Sequence, residues 1–477
     1  MSFPLPRLAQ VALVALLAAP ALASDPTYTY VDLGTLGGPS SVAMGLNESR
    51  QVVGWSSIPG CTVNGHPCRR AFLWDGGVMT DLGVLAGDEE SMARAINESG
   101  LVVGTSESDI VAGSGTFHGF SWNGSMTALP DLGQGQSFAH DVNDAGVIAG
   151  HTQDPAFNRD RAVTWSGGVI SNVGASEPHQ SSRAQGINEA GEIVGFAWNL
   201  FSPNDAVLFD GSWFTIGGLD GPFQNAEARD LNDSGLAVGL QAFPQGDWHP
   251  AVWTSNPPGA IDLGVLPGHE LGELFDVNDG GLAVGRSYDG LDPFDSRAVF
   301  YDGSKLRDLN DLLPAGVDGV LFEAREINEQ GDIVGTAVVD GEFRAFLMVR
   351  DDPWQDLGLG LAGVSGVPAL EAVGSLCAGD PLDITLTDAV PSATAFLIVG
   401  VARIDAPFKG GVVVPAFEAP LGLFLTLPTD ASGGFALAET WPGGLPAGTE
   451  LFLQCWLPDA AAIKGFAASN AVSGLVP

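Results

Sequence analysis

A short phrase returns seven times along this chain: an apolar residue, an Asn, an acidic residue, and a run that closes on Val-Gly or Ala-Gly. The copies begin at Leu46, Ile96, Val142, Ile187, Leu231, Val277 and Ile327, and their asparagines stand at 47, 97, 143, 188, 232, 278 and 328. Steps of 44 to 50 residues suit a propeller blade and are too long for a leucine-rich or ankyrin unit. The period therefore dictates how the chain is built before anything is known of what it binds.

Within each period the order of local signals is constant. A segment such as YVDLGTLGG (from Tyr30) or MTDLGVLAG (from Met79) precedes the Asn phrase, and a variable stretch leads to a short aromatic strand such as AFLW (from Ala71) or AVFY (from Ala298). Runs of Val, Phe and Trp between Gly, Asn and Asp clusters are strand signals. Asn-acid-x-Gly between two apolar runs suits a tight turn, with Asn bonding the local backbone and Gly taking positive φ. The first copy has Arg50 in the Gly place, which predicts mild strain there. Pairs such as Asp75-Gly76 and Asn123-Gly124 turn each aromatic strand into the next DLG segment, so each period predicts one four-stranded antiparallel sheet.

A glycine closes every Val-Gly run, at 54, 104, 150, 195, 239, 285 and 335. Glycine inside a strand marks the close approach of another backbone, and packing against the neighbouring sheet is the expected reason. Seven such sheets cannot bury both faces alone, and radial closure leaves only short protected edges. The expected fold is all-β, a seven-bladed β-propeller of ~46-residue repeats over residues 24–353. An open β-solenoid is the alternative.

The linked segments DLGTLGG, the Asn-Gly phrase and the Ala-Phe-Leu-Trp strand resemble the HAF-repeat family of bacterial extracellular proteins over roughly residues 28–350. The chain departs from that pattern. Arg70 and Arg344 precede Ala-Phe, and only His118 stands in the family's histidine place, followed there by Gly119. The resemblance implies secretion and a propeller-like repeat, and brings no activity.

The period stops near residue 355, and residues 355–477 carry strand-like runs separated by Pro and Gly. One β-sandwich is expected there, similar to the terminal modules of secreted bacterial proteins. At the other end, residues 1–23 read as a signal peptide: Arg7, the apolar run Leu8 to Leu17, and Ala21-Leu22-Ala23 at the cleavage positions. Export to an extracellular, cell-surface or periplasmic location is expected. Cys61 and Cys68 flank TVNGHP, and in an oxidising compartment a disulfide is the natural reading. A zinc site using Cys61, Cys68 and His66 would need a fourth ligand that the neighbourhood does not offer. Cys377 and Cys455 are not assigned a pairing.

The formal charge of −38, with lysines only at 305, 409 and 464, repels nucleic acid and anionic lipid. No nucleic-acid partner, no membrane insertion and a monomeric state are expected. The histidines follow no metal spacing, and neither a GxSxG elbow nor a phosphate loop is present. No catalytic residue, cofactor or metal is assigned. The acids after the asparagines (Glu48, Glu98, Asp144, Glu189, Asp233, Asp279 and Glu329) would form a circle on one face. One carboxylate per turn falls short of the six to eight oxygens calcium takes, so they read as solvated turn residues.

Two functions remain at this level. The favoured one is a non-catalytic scaffold holding a glycan or protein through segments that differ between blades, with Phe243, Trp248 and His249 as the candidate surface. The alternative is an extracellular propeller enzyme, such as a glycan lyase or hydrolase, whose residues converge at the central channel from different blades.

Overall fold

Each period folds into a four-stranded antiparallel meander, and the first sets the pattern: β2 (Ser41–Leu46), β3 (Val52–Val63), β4 (His66–Asp75) and β5 (Val78–Asp81). The computed structural model describes residues 26–476 except 64, 109–114, 155–158, 175–180, 200–201, 217–224, 243–246, 256–257, 291, 293–294, 352–353, 377–379, 417–421, 442–444, 447 and 461. The leader assigned to residues 1–23 lies outside the described residues. Seven sheets of four strands follow one another around Tyr28–Arg350. In the seventh the outermost strand is supplied by β1 (Tyr28–Asp32), which pairs antiparallel with Glu342–Arg350, Tyr28 opposite Arg350. The first DLG segment thus completes the last blade, and the ring is closed.

Blades stack face to face, so their middle strands are buried on both sides. Val52 and Val53 in β3 point to opposite faces, yet both are fully buried. The apolar clusters accordingly draw on successive blades, as where Val53, Ala71 and Leu82 meet Ala93, Ile96 and Phe120. Polar pins add to this apolar contact: the backbone N–H groups of Ala71, Gly119, Ala162 and Ala345 donate to Ser91, Ser137, Ser182 and Ser41 of the following blade at 2.9–3.2 Å.

The repeated glycines have a different cause from the one expected. A Cβ on Gly54, Gly150 or Gly335 would fall on the carbonyl oxygen of Val42, Phe138 or Glu323, in the innermost strand of the same blade. A register shift between Ala43 and Gly45, repeated at the same place in the other blades, brings that carbonyl close. The glycine therefore accommodates a bulge within its own sheet rather than the neighbouring one. Arg50 does take φ 60°, and its guanidinium pairs with Asp332 at 2.8 Å.

From Asp351 onward the chain forms a second compact unit. A five-stranded sheet includes Thr394–Gly400, Glu450–Pro458 and Phe466–Leu475, and a three-stranded sheet holds Ala369–Val373, Pro381–Thr387 and Phe435–Thr440. Leu382, Leu386 and Leu437 of the second meet Leu397, Leu453 and Val472 of the first in one core, which is the expected sandwich. Cys455 lies in that core as a free thiol whose pKa burial pushes up; Cys377 lies outside the described residues.

Candidate active site at the propeller axis

The innermost strands run along the axis, and the asparagine at the end of each is almost fully buried. Its Oδ1 accepts the backbone N–H four residues on, as Leu101 N to Asn97 at 3.0 Å and Val147 N to Asn143 at 3.0 Å. Its Nδ2 donates to the backbone carbonyl of the next blade's asparagine, from Asn47 round to Asn328 and back to Asn47, at 2.9–3.4 Å. Seven side chains therefore close a hydrogen-bonded ring, which satisfies polar groups that would otherwise be costly to bury.

A second ring lies just outside it. Each of the seven acids accepts the backbone N–H of its counterpart in the preceding blade, at 2.5–2.9 Å from Glu48 N to Glu98 round to Glu329 N to Glu48. These acids are more than solvated turn residues: they clip blade to blade. Burial, with the nearby charges of Asp279 and Glu48, raises Glu329 to about 7.

The site that sequence reasoning missed lies two and three residues before each asparagine. The bulge turns both positions toward the axis. Going round the ring, the position two before Asn reads Gly45, Ala95, Asp141, Gly186, Asp230, Asp276 and Glu326. The position three before reads Met44, Arg94, His140, Gln185, Arg229, Phe275 and Arg325. Residues from all seven blades, including all of these but Gly45 and Gly186, line an axial cavity of about 340 Å³. Its departure from the repeat was the available signal: four acids stand where the other three blades keep Gly or Ala.

The four acids are held by the next blade. Asp141 accepts Ile187 N at 2.8 Å, Asp230 accepts Val277 N at 3.3 Å, and Asp276 accepts Ile327 N at 2.6 Å. Asp230 and Asp276 line the same cavity from adjacent blades, and both are pushed above the ordinary carboxylate range. Burial, then the charge of Asp276, pushes Asp230 well above the carboxylate range. Asp276 is likewise raised by burial, and eased by the backbone N–H groups of Ile327 and Val277. Burial raises Asp141 to about 6 and drives Glu326 well above its usual range, with Asp276 and Asp141 adding repulsion.

Cations face these acids. Arg229 pairs with Glu227 at 3.1 Å and Glu273 at 3.2 Å, Arg325 with Glu323 at 2.8 Å, and Arg286 with Glu273 at 2.7 Å. His140 Nε2 lies 3.0 Å from His151 Nδ1, and burial beside Arg94 depresses its pKa well below the usual value, so it is neutral. On the other side of the four acids, the two rings line a carboxylate-rich vestibule of about 280 Å³. Among the described residues no group of three His, Cys, Asp or Glu is arranged to hold a metal ion.

Of the surface proposed from sequence, two residues are described. Phe243 lies outside the described residues; Trp248 and His249 are half-buried neighbours on one strand, paired with Ala242 and Gln241. His249 Nδ1 sits 3.1 Å from Asp262, and neither residue lines the axial cavity. Cys61 and Cys68 are bridged. The hairpin they close roofs a second cavity of about 400 Å³ lined by Trp55, Val63, His66 and Arg69.

Residues 40–215 match a family described as "Protein of unknown function (DUF3466)". No curated protein matches. Among solved structures, the chain is similar to the β-propeller domain of the Trilobed protease from Pyrococcus furiosus, at 13% identity and TM-score 0.38, covering 58% of this chain and 84% of that one. It is similar to a puromycin hydrolase mutant at 13% identity and TM-score 0.43, covering 78% of this chain and 63% of that one. A Trypanosoma rangeli sialidase matches at 8% identity and TM-score 0.38, covering 95% and 96%.

The fold is that of a propeller, and the expectation of a non-catalytic scaffold is withdrawn. The channel holds the converging acids and arginines that a scaffold reading assumed to be absent.

Proposed function

We propose that this chain is an extracellular propeller enzyme that cleaves glycans by general acid–base chemistry at its axis. One observation carries the reading: four acidic side chains, Asp141, Asp230, Asp276 and Glu326, converge on a cavity lined by all seven blades. A carboxyl kept protonated at neutral pH can give its proton to a glycosidic oxygen, and a carboxylate across the sugar can take one from water. Asp230, with Asp276 beside it and Glu326, supplies the first role; Asp141, two blades round from Asp230, supplies the second. The bond between the anomeric carbon and the bridging oxygen breaks, water supplies the new hydroxyl, and the proton lost by water replaces the one donated.

Export is part of the proposal. It is supported by the leader-like first 23 residues, the Cys61–Cys68 bridge, the resemblance to secreted HAF-repeat proteins, and the finding that no described helix is long and apolar enough to cross a membrane. The test is turnover of a panel of extracellular glycans by the full chain, compared with Asp230→Asn and Asp276→Asn. Either substitution should lower the rate on order of 10²–10⁴-fold with the far-UV spectrum unchanged. An active protein whose rate ignores both substitutions would place the chemistry elsewhere.

A further inference from the structure

The axial cavity contains a guanidinium without a counter-ion. Arg94 stands deep in the wall with its Nε buried and without a hydrogen-bond partner, and it forms no ion pair among the described residues. Its neighbours worsen this. Arg229 and Arg325 are close enough to repel it, each spends its charge on Glu227, Glu273 or Glu323, and each also leaves its own Nε unsatisfied. The side chain on the other flank, His140, is neutral and brings no negative charge.

A half-buried cation with a buried, unused donor and cationic neighbours is costly unless something anionic arrives to meet it. The guanidinium fork matches a planar carboxylate with two parallel hydrogen bonds. The wall is otherwise mostly polar, with Met44, Ala95 and Phe275 as its apolar exceptions, which suits a hydroxyl-rich ligand better than an apolar peptide side chain. We propose that Arg94 receives the carboxylate of an acidic sugar, making the substrate a uronate-bearing glycan. The inference rests on the glycan-cleaving reading of the same site.

Size and charge add a restriction. A cavity of about 340 Å³ takes one or two sugar rings, and a chain of net charge −38 repels a long polyanion laid along its surface. The site therefore takes the end of an acidic chain or a short oligomer.

The experiment is calorimetric titration of full-length Asp276→Asn, in which turnover is slowed, with a uronate disaccharide, its methyl ester, a neutral disaccharide and a sulfated neutral disaccharide. The uronate should bind at least tenfold more tightly than the ester and the neutral sugar. Adding Arg94→Gln should remove that preference while leaving the melting temperature unchanged or higher, because it deletes an uncompensated charge. Arg94→Lys, which keeps the charge but not the fork, should recover only part of it. Equal binding of uronate and ester, a preference that survives Arg94→Gln, or tighter binding of the sulfated sugar or of a carboxylate-bearing peptide would overturn the assignment. Failure of the catalytic reading looks different: uronate binding through Arg94 with no turnover of any acidic glycan by the unsubstituted chain.

Discussion

At the residue scale the strand glycines and the axial acids make opposite demands on the sequence. Gly150 admits no Cβ because the Phe138 carbonyl occupies that space, whereas Gly124, at a hairpin tip with φ 79°, has open space around it. Gly150→Ala should therefore cost several kcal/mol by forcing the bulge open, against about 1 kcal/mol for Gly124→Ala from backbone strain alone; urea denaturation of the two variants measures the difference. The acids predict an unusual pH response. Asp141 at about 6 and Glu329 at about 7 lie above their unfolded values, as do Asp230 and Glu326 by direction. The folded state thus holds those protons more tightly, so their stabilisation is complete below the unfolded pKa and is lost as pH rises through the folded one. The melting temperature should fall between about pH 4 and pH 7, and Asp141→Asn, which keeps an acceptor for Ile187 N, should flatten that slope. Glu273, lowered by its arginine partners against the effect of burial, acts in the opposite sense and only at lower pH. These acids were legible as irregularities in a regular repeat. Their meaning was not, because the bulge that aims them at the axis is a three-dimensional property of two strands.

At the element scale the repeat exposed nearly all of the architecture: strand order, hairpin turns and the four-stranded period follow from Gly, Asn and apolar spacing. What it concealed was the second use of each asparagine. The local turn needs only Oδ1, and the donation from Nδ2 to the next blade depends on ring closure, which spacing alone cannot distinguish from an open solenoid. Asn143→Ala should remove both bonds and cost about 2–3 kcal/mol, whereas Asn143→Asp keeps the acceptor and loses the donor to Asn188 O. The two variants, compared by chemical denaturation, separate turn from ring. Beginning the chain at Leu36 removes β1 and leaves the Glu342–Arg350 strand without its partner. The expected outcome is a lower melting temperature with self-association on gel filtration, since an unpaired strand edge invites another chain.

At the scale of the whole molecule the composition break near residue 355 coincides with the division between Tyr28–Arg350 and the unit that starts at Asp351. Limited proteolysis should cut between Arg350, which ends the last blade, and Trp354, which opens a strand paired with Gly474 and its neighbours. Mass spectrometry should recover two resistant fragments. The pairing of Tyr28 with Arg350 also sets an order of assembly. The first strand of the propeller in the chain is joined to a partner more than 300 residues later, and contacts so distant in sequence form slowly. Until the seventh period is present, neither the asparagine ring nor Asp276, which is held by Ile327 N, has its full set of partners. The finished axis is thus a report on completeness: a chain cut short within the seventh period carries six of its blades and not the full set of contacts at the axis.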